Sequence, residues 1–159
     1  MRNAIHHSGI TTKNAARLVQ FYIQHFGFET VVDTEMEGNG LVDAVMGLKN
    51  VKIHAFILKA ANAFLEIFEF SNPVGKDTDP DRAVCDGGIS HICIEVPDIE
   101  KAYAGLHASA VPLNCVPQSF PGFGKVFYGR DPDGNLVELI EVDTSGPLAL
   151  AFASRASSI

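Results

Sequence analysis

The chain has 159 residues, 47% hydrophobic and 19% charged, enough for one medium domain or two small modules around an ordinary soluble core. The 12 Lys and Arg against 19 Asp and Glu leave a net charge of −7, and the basic residues are scattered rather than drawn into a stripe, which argues against a nucleic-acid partner. The apolar runs fall short of the ~18 residues a membrane span needs. MRNAIHHSGI has no apolar signal segment, so a cytoplasmic location with no membrane contact is expected.

Residues from His7 onward read as a strand that runs into HSGITTKN (7–14), where Asn14 caps a helix. Ala15, Leu18, Val19, Tyr22 and Phe26 give that helix one apolar face, and Gly27 ends it. Strands are then expected over 28–33, 41–46, 51–58 and 63–70, with Gly38–Asn39–Gly40 and Asn62 as turns. The polar, Pro/Gly-punctuated stretch SNPVGKDTDPDRAVCDGG (71–88) is the joint. After it HICIEVPD (91–98) opens a second strand, Asp98 caps a second helix, and Ile99, Ala102, Tyr103 and Leu106 form its apolar face. The region Ala110–Val111–Pro112 ends it, and strands follow over 113–117, 124–129 and 136–142, with the turn DPDGN at 131–135. Cys85, Cys93 and Cys115, odd in number and without CxxC spacing, fit packed thiols in a reduced protein.

The two halves repeat. LEIFEF (65–70) matches VELIEV (137–142) in chemical type at every position, and HSGITTKN matches HICIEVPD in its opening histidine, its isoleucine three residues on and its closing cap. The expected fold class is therefore α+β, two βαβββ modules forming a cupped mixed sheet with helices on the outer face. Module one spans 1–73, the linker 74–88 and module two 89–143, together one domain, and 144–159 is a tail that forms a helix, an arm on a neighbour or a frayed end.

The repeat puts His7 and Glu66 in one half where His91 and Glu138 stand in the other. Each histidine opens its module's first strand, and each glutamate lies in its last. In strand alternation Glu66 shares a face with Phe64, Phe68 and Phe70, where an unpaired carboxylate is costly. If first and last strands are neighbours, each half brings one imidazole and one carboxylate to a common face. A divalent first-row ion (Zn, Ni, Co, Mn or Fe) suits such a His/Glu set. Any one of these residues alone reads as a surface or satisfied side chain; recurrence at matched places argues for a joint role. His6 is expected on the face opposite His7, and Glu69 and Glu141 on the face opposite the ligands, facing solvent or a helix.

These motifs resemble the vicinal oxygen chelate superfamily, which includes glyoxalase I, methylmalonyl-CoA epimerase, extradiol dioxygenases and bleomycin-resistance proteins. The resemblance runs through IHHSGITT, the FY of VQFYIQHFGF, FLEIFEF, GGISHICIEVPDIEKAYAGL and GRDPDGNLVELIEV, over residues 4–143. It implies metal-ligand roles for His7, Glu66, His91 and Glu138, around one divalent metal ion. It departs from glyoxalase I at Thr11, where that enzyme carries an arginine for glutathione, and at Phe70, where it carries an asparagine. Both departures argue against glutathione, and Phe64, Phe68 and Phe70 point to a more apolar substrate.

The implied activity is a lyase or isomerase that moves a proton α to a carbonyl through a metal-stabilised enolate, with Glu138 and Glu66 carrying the proton. The substrate would be a small carbonyl compound or thioester, bound against Thr11, Phe64, Phe68 and Phe70. One alternative is an Fe(II) dioxygenase using His7, His91 and Glu138. Another is a protein that binds a small molecule without turnover. In this superfamily paired modules meet within a chain or across a dimer, and the apolar LALAF of the tail favours a homodimer.

Overall fold

The computed structural model describes residues 3–156, and side chains as far as residue 151. The chain divides into two compact units, Met1–Asp79 and Pro80–Ile159. In the N-terminal unit the order is β1 (His7–Thr12), α1 (Ala15–Phe26), β2 (Glu29–Glu37), α2 (Gly40–Met46), β3 (Lys52–Lys59) and β4 (Phe64–Asn72). In the C-terminal unit it is β5 (His91–Glu95), α3 (Ile99–Ala108), β6 (Gln118–Phe120), β7 (Gly124–Arg130), β8 (Leu136–Val142) and α4 (Pro147–Ala156). Each unit builds a four-stranded mixed sheet, in the orders β1-β4-β3-β2 and β5-β8-β7-β6. The α+β class and the repeated βαβββ order are as expected.

First and last strands of each unit are neighbours and run parallel, His7 facing Phe64 and Gly9 facing Glu66 in one, His91 facing Leu136 and Cys93 facing Glu138 in the other. The remaining pairs are antiparallel. A parallel pair needs a long crossover, which α1 and the strands after it supply.

Both crossover helices start as their sequences imply. Asn14 accepts from the Arg17 amide and Asp98 from the Lys101 amide. Gly27 closes α1 in the left-handed region, at φ 67°, which a residue with a Cβ rarely adopts. Ala15, Leu18, Val19, Phe21 and Tyr22 of α1 are buried, as are Ile99 and Leu106 of α3. Leu65 and Ile67 on β4, with Leu58 and Phe56 opposite them on β3, form the buried face on α1's side of the sheet.

Two expected strands are corrected. Residues 41–46 form helix α2, because Asn39 accepts from the Leu41 and Val42 amides and Gly47 follows at φ 66°. These two caps override a short apolar run that suits a strand equally well. Asp43 on this helix accepts from the Asn50 and Val51 amides and so ties α2 to the start of β3. Residues 113–117 reduce to a single bridge, Leu113 to Gly129, and the strand itself begins at Gln118. Pro112 and Pro117 bracket this stretch and donate no ladder hydrogen bonds.

The tail begins as helix α4, and residues 157–159 lie outside the described part. Among the described residues no helix is long and apolar enough to cross a membrane.

Candidate metal and active site

The register places the expected site residues of the N-terminal unit on one sheet face. His7, Gly9 and Thr11 on β1 stand beside Phe64, Glu66 and Phe68 on β4. Glu66 also faces Ile57 on β3, Phe68 faces Ala55 and Phe70 faces Ile53. His7 Nε2 lies 3.4 Å from Glu66 Oε2. Phe68 and Phe70, with Met36, Val42 and Met46, pack on the buried cluster Val51, Ile53 and Ala55. One end of this face is thus an apolar floor covered by α2; the other carries the imidazole and carboxylate. Thr11 is exposed between them.

The C-terminal unit repeats the arrangement with different neighbours. His91 Nε2 lies 3.0 Å from Glu138 Oε2. Their side chains are 28% and 15% exposed, against 46% and 23% for His7 and Glu66, so this pair is the more enclosed. Glu138 faces Tyr128 on β7 and Cys93 on β5. The Tyr128 hydroxyl lies 3.5 Å from His91 Nε2. Desolvation, then the charge of Glu138 and a hydrogen bond to it, push the Tyr128 hydroxyl up to about 12. Although Cys93 as a residue is exposed, desolvation around its thiol is also the leading cause of a pKa pushed up to about 12, followed by Glu138 and then Glu95. Both groups therefore stay neutral, and offer Glu138 O–H and S–H donors, across the physiological range.

The turn Asp131–Asn135 fixes where Glu138 falls. Asp131, 4% exposed, accepts from the amides of Asp133 and Asn135 and from the Asn135 side chain. Arg130 donates to the carbonyls of Gly134 and Arg82. Gly134 has φ 83°, and a Cβ there would come within 2.5 Å of Pro80. The hairpin register this turn sets pairs Arg130 with Leu136, and hence Tyr128 with Glu138. Counting outward from DPDGN would have found Tyr128 in the sequence.

Glu69 and Glu141 lie on the opposite face, as alternation requires, and turn to the helices. Their partners are backbone amides at the helix starts, Ala15 at 2.7 Å and Ile99 at 2.8 Å. His6 corrects an expectation. Strand β1 begins at His7, so His6 escapes the alternation; its ring stacks on Phe64 at 5.1 Å and its Nδ1 lies 2.9 Å from His7 Nδ1.

The donor set fits a divalent first-row metal: a neutral imidazole nitrogen and a carboxylate oxygen side by side, twice. Among the described residues, neither Glu66 nor Glu138 forms an ion pair with a Lys or Arg; each lies beside a histidine instead. Each unit gathers two such ligands; among the described residues no group of three or more His, Cys, Asp and Glu forms.

Each unit is thus a four-stranded βαβββ sheet with a His–Glu pair on its two parallel strands. Residues 4–139 match the family model "Glyoxalase/Bleomycin resistance protein/Dioxygenase superfamily", and the chain belongs to that superfamily. It is 29% identical over 140 residues to the mitochondrial methylmalonyl-CoA epimerase of Dictyostelium discoideum, covering 86% of this chain and 77% of the relative. It is 26% identical over 157 residues to glyoxalase I of Saccharomyces cerevisiae, covering 89% of this chain and 46% of that protein. In fold it resembles a glyoxalase family protein from Bacillus cereus, with a TM-score of 0.80 at 17% identity, over 87% of this chain and 93% of the other.

Proposed function

We propose that the protein is a divalent-metal-dependent lyase or isomerase of the glyoxalase and epimerase type, which moves a proton on the carbon α to a carbonyl. The observation that carries this reading is the doubled His–Glu pair, His7 with Glu66 and His91 with Glu138, at 3.4 and 3.0 Å on matched strands. In this reading each pair supplies an imidazole and a carboxylate ligand to a divalent metal ion. When bound, the dication supplies Lewis-acid polarisation of substrate oxygens.

The chain's own residues do the rest. A carboxylate oxygen of Glu138 or Glu66 takes the proton from the α carbon; in a lyase the same carboxylate delivers a proton to the neighbouring carbon, and in an epimerase the other carboxylate delivers one to the opposite face. Tyr128 and Cys93 hold Glu138 in place by donating to it. The apolar floor of Phe68 and Phe70, together with Phe64 and Thr11, binds the body of the substrate.

An acyl thioester is the favoured substrate class. Thr11 and Phe70 replace the polar groups that the family resemblance assigns to glutathione binding, and the identity to an epimerase acting on a CoA ester supports the same choice.

Metal analysis of protein purified without chelator, followed by turnover in D2O, tests the proposal. The expected result is a stoichiometric divalent metal and solvent deuterium at the α carbon of an acyl-CoA epimer or of a 2-oxoaldehyde–thiol adduct. Oxygen consumption with catechols and ferrous iron would establish the dioxygenase reading instead. Ligand binding that is indifferent to metal, with no turnover, would make this a binding protein.

A further inference from the structure

Both candidate ligand histidines are held from behind by the residue that precedes them. Ser90 Oγ lies 2.7 Å from His91 Nδ1, and His6 Nδ1 lies 2.9 Å from His7 Nδ1. In each ring the other nitrogen, Nε2, is the one beside the glutamate. We propose that His6 and Ser90 are positioning residues, each accepting the Nδ1–H of the next histidine so that Nε2, on the side of the glutamate, is the nitrogen free to ligate a metal ion alongside that carboxylate. The inference rests on the metal-centre reading above.

The physical requirement is general. A neutral imidazole carries one proton, and a metal takes the nitrogen without it, so the hydrogen bond at the other nitrogen decides which one ligates. A serine hydroxyl and an imidazole can each accept an N–H. The two partners differ in chemistry yet occupy the same place, one residue before the strand. That position is outside β1 and outside β5, so neither side chain is committed by pleat alternation to the far face.

Each partner is itself anchored. The His6 ring stacks on Phe64 at a 27° interplanar angle, and the Phe64 amide donates to the His6 carbonyl at 3.3 Å. Next to Ser90, the Ile89 carbonyl accepts from Arg82, whose guanidinium also donates to the carbonyls of Asp86 and Gly87. Arg130 in turn donates to the Arg82 carbonyl. Within the C-terminal unit, residues 82–89 are thus tied together by Arg82 just ahead of Ser90 and His91.

The test measures Zn2+ affinity by competition with a chromophoric chelator, and ring-nitrogen NMR of the metal-free protein. Ser90→Ala and His6→Phe, the latter keeping an aromatic ring over Phe64, should each weaken Zn2+ binding about 10–100-fold. Each should also move the Nδ1 resonance of the following histidine. Ser90→Thr and His6→Asn, which restore an oxygen acceptor, should recover most of the affinity. Unchanged Zn2+ affinity in Ser90→Ala and His6→Phe, while His91→Ala abolishes binding, would overturn this inference and leave the metal centre standing. Zn2+ binding that survives His91→Ala and His7→Ala together would overturn the metal centre itself. Restoring variants as weak as the deletions would reduce both contacts to local packing and overturn the positioning role.

Discussion

The carboxylate of Glu69 accepts a hydrogen bond from the backbone amide of Ala15 at 2.7 Å, across 54 residues of sequence. Glu141 does the same for Ile99 at 2.8 Å. Each module therefore carries two glutamates three residues apart, with Glu66 and Glu138 facing the histidines and Glu69 and Glu141 closing the first turn of a helix behind the sheet. A helix start leaves amides without intrahelical partners, and a carboxylate there also meets the positive end of the helix dipole.

Removing those carboxylates should therefore cost stability rather than chemistry. Glu69→Ala and Glu141→Ala should each lower unfolding free energy by about 1–2 kcal/mol, the range for a lost helix-start acceptor. Urea midpoints of the metal-free protein would show it. Glu66→Gln and Glu138→Gln should shift the midpoint less; equal shifts for all four would contradict the division of labour.

In the proposed mechanism turnover depends on the other pair. Glu138→Gln keeps the shape and one oxygen but cannot take up a proton as a carboxylate does. It should lower kcat by at least about 100-fold, the usual worth of a positioned base, while some metal remains bound. Solvent-deuterium incorporation, compared with metal content in the same sample, separates the two effects. Full turnover in this variant would remove Glu138 from the proton transfer.

Phe70 packs in the fold, and in the proposed function it also meets the substrate. It packs with Phe68, Met36, Val42 and Met46 on the Val51–Ile53–Ala55 cluster beneath α2. Phe70→Ala should destabilise the protein by about 2–3 kcal/mol, below the cost for a fully buried aromatic because Phe70 is only half-buried. It should also raise KM for an acyl thioester. Denaturation and steady-state kinetics on one preparation test both effects, and an unchanged midpoint would remove Phe70 from the cluster.

The C-terminal unit carries an alkaline signature. Cys93 and Tyr128 are both pushed up to about 12, from ordinary values of 9.0 and 10.0. A raised pKa means the native state holds its proton longer than the unfolded chain. The associated stability is complete below the unfolded values and is lost as pH rises from about 9 through about 12. Cys93→Ala with Tyr128→Phe should flatten that alkaline decline. At pH 8, alkylation of Cys93 in the metal-free native protein should run at least about 100-fold slower than that of an unperturbed thiol, because the thiolate is the reactive species. Peptide mapping after iodoacetamide treatment would measure it.

Much of this was legible in the residues. The repeat of LEIFEF in VELIEV, and of the histidine-to-cap segment, implied two like modules and singled out His7, Glu66, His91 and Glu138. Caps Asn14 and Asp98 and the apolar spacing behind them placed both crossover helices, because cap chemistry and periodicity are local. Alternation put Glu69 and Glu141 on the far face.

Tertiary structure decided what local pattern leaves open. Residues 41–46 fit a strand as a short apolar run and a helix by their caps, and the packing of Val42 and Met46 on the Val51–Ile53–Ala55 cluster goes with the helix. That Glu69 and Glu141 meet amides rather than solvent depends on chain segments dozens of residues away. Tyr128 and Cys93 became neighbours of Glu138 only through strand register. His6 turned toward His7 only because β1 begins one residue later. Periodicity specifies which residues share a face, but pairing register and strand ends set which side chains touch, and those are settled by non-local hydrogen bonds and packing.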